Sequence, residues 1–100
     1  MHALTSQQRR YLRSLAHHLE PIVYVGKQGI TDALAQSAEE ALHAHELIKV
    51  RFVDRKEEKK ELTAELATRT SSLIAGIIGN VAMLYRQHRD PEKRRIEFED

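Results

Sequence analysis

Ile22-Val23-Tyr24-Val25-Gly26-Lys27-Gln28-Gly29-Ile30-Thr31-Asp32 is the stretch from which the fold can be read. Its first four residues are short, β-branched and continuously apolar, the pattern of a buried strand. Gly26-Lys27-Gln28-Gly29 then makes a tight loop. Thr31 is placed to cap a helix, with Asp32 favourable at the positive end of the helix dipole. A strand that enters a glycine loop and leaves as a helix is half of a β-α-β unit, so a sheet with helices packed on it is expected.

Upstream, Thr5 followed by Gln8 fits a capping box at the start of a helix over residues 5–19. Leu12, Leu15, Ala16 and Leu19 recur at helical spacing and predict one buried face. Arg9 and Arg13 share another face, with Arg10 beside them. Pro21 ends the helix by pushing Glu20 out of helical geometry. Downstream, Leu34, Ala38, Ala41, Leu42 and His45 mark the buried stripe of a second helix. Residues 47–53 then alternate: Ile48, Val50 and Phe52 point one way, and Leu47, Lys49, Arg51 and Val53 the other, giving a strand with one basic face. The charged run 54–61 opens a third, solvated helix, carried by Leu62, Leu66 and Ala67 to Thr70. Residues 73–78 and 81–86 read as two strands joined at Gly79-Asn80. The expected architecture is α/β, ordered α-β-α-β-α-β-β, with a mixed four-stranded sheet: a parallel pair across a helix crossover and an antiparallel hairpin at the end. Tyr24, Phe52 and Tyr85 lie in strand patterns and are expected in the core. Residues 1–88 form the domain. The charged tail 89–100 holds only Ile96 and Phe98 as anchors and is expected to be loosely ordered.

The chain has 100 residues, 41% hydrophobic and 31% charged, which suits one folded domain. It has no cysteine, which excludes disulfides and Cys-based zinc sites. The N-terminus lacks the long apolar segment of a signal peptide, and nothing approaches the roughly 18–20 apolar residues of a membrane span. A cytoplasmic protein with no membrane partner is the expectation. Net charge is +1, but it is unevenly placed. Residues 1–30 carry Arg9, Arg10, Arg13 and Lys27 against Glu20 alone, whereas residues 31–70 carry seven bases and nine acids. The basic excess therefore lies beside the glycine loop, where it favours a polyanion.

The loop carries the most specific chemistry. Glycine lets backbone approach a ligand closely. The helix that follows presents unpaired N–H groups and a positive dipole end, and Lys27 adds a mobile charge, so the arrangement suits phosphate. The spacing alone also fits a plain β-α turn. No dinucleotide fingerprint or P-loop is present, so no nucleotide cofactor is expected. Gly76-Ile77-Ile78-Gly79 repeats the spacing inside an apolar strand pattern without charge, and reads as structural. The histidines form neither an H-x-x-x-H pair nor an H-E-x-x-H motif, so no metal site is expected. No nucleophile sits in a glycine elbow, so no catalytic residue is assigned.

The blocks Leu4-Thr5-x-x-Gln8-Arg9, Leu15-Ala16-His17, Val25-Gly26-Lys27-Gln28-Gly29-Ile30-Thr31, His45-Glu46-Leu47-Ile48-Lys49-Val50 and Ile78-Gly79-Asn80-Val81-Ala82-Met83-Leu84-Tyr85-Arg86 together resemble the CRM domain family, in particular its stand-alone bacterial YhbY-like members. The resemblance implies a fold similar to the C-terminal domain of translation initiation factor 3, with a KH-like G-x-x-G loop that contacts RNA. It implies a non-enzymatic partner of large-subunit ribosomal RNA or pre-ribosomal particles, acting in ribosome assembly. Carried over by position, Gly26, Lys27, Gln28 and Gly29 grip the RNA backbone, with Thr31 at the helix start. Arg86 is either a phosphate contact or a structural salt bridge. Lys49 lies in a matching block and Arg51 on the same strand face. Arg9, Arg10 and Arg13 join the expected RNA surface from the charge distribution alone. A competing reading is a protein-interaction domain that docks a partner through the charged third-helix face at Glu57, Glu58 and Glu61.

Overall fold

The computed structural model describes residues 3–98. Its elements are α1 (Ser6–Ala16), β1 (Val23–Val25), α2 (Asp32–His45), β2 (Leu47–Phe52), α3 (Lys59–Thr70), β3 (Leu73–Ile78) and β4 (Val81–Tyr85), with short 3-10 turns at Lys56–Glu58 and Pro91–Lys93. The strands form one sheet in the order β1-β2-β4-β3. β1 and β2 run parallel, joined through α2, while β4 is antiparallel to both β2 and β3. The mixed four-stranded sheet and the element order are those expected. At the β3–β4 turn Gly79 takes φ 58°, which fits glycine at the first of the two turn positions.

The two sides of the sheet are covered unequally. α2 and α3 close one side, where Val25, Ile48, Val50, Phe52 and Leu84 pack on Leu42 and Leu66. α1 lies on the other side against β2, β3 and β4. There Leu12 and Ala16 bury Leu47, Ala75, Met83 and Tyr85. α1 begins as expected: Thr5 Oγ1 accepts the Gln8 amide and Gln8 Oε1 accepts the Thr5 amide, both at 3.0 Å, an arrangement worth about 1 kcal/mol. It ends sooner than the periodicity suggests. After Ala16 the chain turns, the Leu19 amide bonding the Ala16 carbonyl and the Ile22 amide the Lys49 carbonyl. Leu19 is therefore exposed and outside the buried face. The turn is what brings β1 alongside β2.

Three further expectations need correction. Tyr24 is not in the core but 54% exposed, because β1 is an edge strand of three residues whose inward positions are Val23 and Val25, and α1 does not reach over it. Phe52 and Tyr85, expected in the core beside it, are buried. His45 is exposed, since α2 ends there and Glu46 takes the inward place. The tail from residue 89, expected to be loose, docks on the domain through residue 98. Glu46 is 1% exposed, and its carboxylate accepts the amides of His88, Arg95 and Ile96 at 2.7, 2.6 and 3.0 Å. Its own carbonyl accepts the Arg86 amide at 2.8 Å. Phe98 packs edge-on against Tyr11 and Tyr85. A buried charge is tolerated when backbone N–H groups satisfy it, so one glutamate clasps the chain end to the domain.

Candidate functional site

The glycine loop leaves β1 at the end of the sheet where β2 finishes. Val25 pairs with Phe52 there, and the Phe52 amide reaches across to the Asn80 carbonyl of the β3–β4 turn. The loop closes on itself, the Gly29 amide bonding the Gly26 carbonyl at 3.1 Å. Thr31 caps α2 as expected, its Oγ1 accepting the Leu34 amide at 3.1 Å. Asp32 in the first helical turn is held by Arg69 at 2.5 Å, which offsets its repulsion toward an anion at this helix start.

The two loop glycines do different work. Gly29 has φ +67°, and a side chain there would stand 2.3 Å from an Arg55 guanidinium nitrogen. Arg55 is fixed in turn by two bonds to Glu58, 2.9 and 2.6 Å, which keep the arginine more basic and the glutamate more acidic than usual. Gly29 is therefore a folding requirement. At Gly26 an added Cβ would meet nothing within 4 Å. Gly26 opens on space, and the adjacent Lys27 and Gln28 are exposed.

The basic residues named from the sequence fall into two groups. Among the described residues Arg10, Lys27 and Arg51 are exposed and have no ion-pair partner. The others are partly or wholly engaged. Arg9 folds onto the start of its own helix, donating to the Leu4 carbonyl at 2.7 Å. Arg13 lies over Gly76, where a Cβ would be 2.8 Å from its Cδ, and donates to the Ala75 carbonyl at 3.1 Å. Ala75 is the residue that a bulge between Ile74 and Gly76 takes out of the β3–β4 ladder. Gly76 is thus structural, as its sequence setting suggests. Lys49 donates to the Leu19 carbonyl at 2.9 Å.

Arg86 stands apart from all of these. It follows β4 at the opposite end of the sheet, beside Glu46. One nitrogen donates to the Thr70 carbonyl at 2.8 Å, and the guanidinium pairs with Glu39. That hydrogen bond outweighs burial and lowers the Glu39 carboxyl below its ordinary value. Of the two open readings of Arg86, the geometry matches the structural salt bridge. The structure therefore brings Gly26, Lys27, Gln28, Gly29, Thr31 and Arg51 to one end of the sheet, with Lys49 and Arg13 further back on the side that α1 partly covers. It does not bring Arg86 to them.

Sequence reasoning missed Arg55 and Tyr24. The Arg-x-x-Glu spacing of Arg55 and Glu58 was the available signal for the first, hidden within a longer charge run. Tyr24 was misread because a continuous apolar run looks the same on a covered strand and on an exposed edge. The third-helix face is also less free than its sequence suggests, since Glu58 serves Arg55 and Glu65 lies 3.8 Å from Arg69. No group of three or more His, Asp or Glu among the described residues is placed to hold a metal ion. No helix there is long and apolar enough to cross a membrane.

The sequence profile of the CRS1 / YhbY (CRM) domain matches residues 4–86. The chain is 44% identical over 96 residues to "Probable RNA-binding protein YqeI" of Bacillus subtilis, covering 95% of this chain and 98% of that one. It is 38% identical over 87 residues to a Haemophilus influenzae protein named "RNA-binding protein", covering 86% and 88%. Its structure matches the solution structure of the hypothetical protein SAV1595 from Staphylococcus aureus with TM-score 0.79 and 36% identity, over 94% of this chain and 99% of that one.

Proposed function

Since the chain belongs to the CRS1 / YhbY (CRM) domain family, we propose that it binds structured RNA by gripping the sugar-phosphate backbone with the loop Gly26-Lys27-Gln28-Gly29. The observation that carries this reading is the contrast between the two loop glycines. Gly29 answers to the fold, whereas Gly26 faces open space next to a lysine that has no ion-pair partner among the described residues, close to the start of a helix. Missing side-chain bulk there admits a sugar-phosphate chain to the backbone amides. Lys27 and Arg51 supply charge that no carboxylate among the described residues pairs with. The protein binds and performs no bond-breaking step.

Binding of this kind is driven by counterion release and reads little sequence. The family resemblance points to large-subunit ribosomal RNA in pre-ribosomal particles as the target and to ribosome assembly in the cytoplasm as the setting. Titration of ribosomal RNA fragments with the purified protein at several salt concentrations tests the reading. The natural loop is expected to show a steep salt dependence. A folded Lys27→Asp/Gln28→Asp variant is expected to lose binding by about a hundredfold, the effect of replacing attraction with repulsion at one phosphate-lined site. Equal affinity of the two proteins would reduce the loop to an ordinary turn.

A further inference from the structure

The side of the sheet that α1 covers is covered only in part. α1 buries the positions nearest the start of β2, and beyond them one row of side chains crosses all four strands. Tyr24 is in register with Arg51, Arg51 with Val81, and Val81 with Ile78. At ordinary strand spacing the row is about 14 Å wide. Tyr24 is 54% exposed and Ile78 63%. Strand alternation places Ile22 and Val53 on this same side, so four of the six exposed large hydrophobic residues among those described face one way.

We propose that this uncovered row, Tyr24–Arg51–Val81–Ile78, is a platform for unpaired nucleotides, with bases on Tyr24 and Ile78 and a phosphate on Arg51. The proposal rests on the RNA-binding reading of the loop and names the form of RNA that the loop's neighbourhood accepts. Three observations favour RNA over a protein strand or helix as the occupant. The first is charge. The four strands contain no acidic residue, and their only charged members are Lys49 and Arg51. Lys49 bonds the Leu19 carbonyl, and Arg51 has no ion-pair partner among the described residues. A row whose strands carry positive charge alone matches a polymer that alternates apolar rings with phosphates.

The second is the state of the Tyr24 ring. Its hydroxyl donates to the Pro21 carbonyl at 3.1 Å, which fixes the ring without burying it. A ring held in place loses little freedom when a base stacks on it. The third is continuity. Gly26, the open end of the glycine loop, follows Tyr24 by two residues. A strand whose backbone is held at the loop is thereby led onto the platform, with Arg13 at its far margin over Gly76.

The test uses fluorescence anisotropy of the full chain with two probes: an unstructured RNA of about twelve nucleotides, within the span of known single-strand sites, and the blunt duplex of the same sequence. Tyr24→Ala is expected to weaken single-strand binding about tenfold, the effect of one lost base–aromatic stack, and to leave duplex binding nearly unchanged. Tyr24→Phe, which keeps the ring but loses its bond to the Pro21 carbonyl, is expected to retain most of the binding, well above Tyr24→Ala. Lys27→Asp/Gln28→Asp is expected to weaken both probes. If the loop variant loses both probes while Tyr24→Ala loses neither, the loop reading stands and the platform is overturned. Equal losses for both probes with Tyr24→Ala also overturn it. A natural protein that binds neither probe overturns platform and loop reading together. A dimer in solution that Ile78→Lys separates, with RNA affinity unmoved by Tyr24→Ala, assigns the row to a second copy of the chain and overturns the platform.

Discussion

At the end of the sheet where β2 begins, Glu46 holds three backbone amides and Arg86 holds Glu39 and the Thr70 carbonyl. At the end where β2 finishes, Lys27 and Arg51 have no ion-pair partner among the described residues, and an added Cβ at Gly26 would meet nothing within 4 Å. Both ends carry arginine or lysine close to a strand terminus, and in sequence the two kinds of residue look alike. The difference lies in whether a cation already has a carboxylate. A charge that is paired inside the fold stabilises the fold and has little left for a phosphate. An unpaired one adds nothing to packing and remains available. The same division separates Gly29 from Gly26 and the buried Tyr85 from the exposed Tyr24.

The largest expected effect comes from the clasp. Glu46→Ala leaves the amides of His88, Arg95 and Ile96 without their acceptor, and a loss of about 3 kcal/mol or more is expected in chemical denaturation. RNA affinity, measured where the variant is still folded, is expected to stay as it was; a parallel fall in affinity would break the separation of the two ends. Next come the glycines. Gly29→Ala forces a side chain into left-handed backbone and against Arg55, and a stability loss of about 1–2 kcal/mol is expected. Gly26→Ala is expected to melt within about 0.5 kcal/mol of the natural protein and yet to weaken RNA binding severalfold. The reverse pattern would exchange their roles.

Smaller effects follow from ionisation at the clasp end. Arg86 lowers the Glu39 carboxyl, so this pair contributes stability above the ordinary glutamate range and loses it as pH falls through the lowered value. The Glu39 side chain is 44% exposed to solvent, which keeps the contribution below about 1 kcal/mol. Glu39→Gln is expected to flatten that part of the acid melting curve. Tyr85 behaves in the opposite sense. Burial, with the Glu46 carboxylate adding to it, pushes its hydroxyl up from 10.0 to about 12. The unfolded chain releases this proton first, so stability is present below pH 10 and falls as pH rises toward 12. Among the described residues the hydroxyl is buried without a hydrogen-bond partner, so Tyr85→Phe is expected to change neutral-pH stability by less than about 0.5 kcal/mol, or to raise it slightly, while removing the alkaline loss. A large loss at neutral pH would mean that the hydroxyl does have a partner.

Much of this architecture was legible because local signals agreed. Thr5 and Gln8 announced α1, Thr31 announced α2, and the alternation in Ile48, Val50 and Phe52 fixed which side of β2 is buried. The glycine loop was legible as a unit, though its division of labour was not. Only the left-handed backbone at Gly29 and the approach of Arg55, from a segment 26 positions later in the chain, separate one glycine from the other. The failures share one cause. Tyr24, His45 and the tail from residue 89 depend on what lies opposite them in space, and spacing along the chain carries no such information; the same lack left both readings of Arg86 open. Glu46 read as an ordinary charged residue within a family block. Its role emerged only when the chain returned 42, 49 and 50 residues later to place three amides around it.

The most direct test compares one cation from each end. The salt dependence of RNA affinity and the thermal midpoint would be measured for Lys27→Ala and Arg86→Ala beside the natural protein. Each phosphate contact contributes about one unit to the slope of log affinity against log salt. Lys27→Ala is expected to lower that slope by about one unit without moving the melting midpoint, and Arg86→Ala to lower the midpoint without moving the slope. A slope that falls with Arg86→Ala and not with Lys27→Ala would contradict the account, because the paired arginine would then be the one that touches RNA.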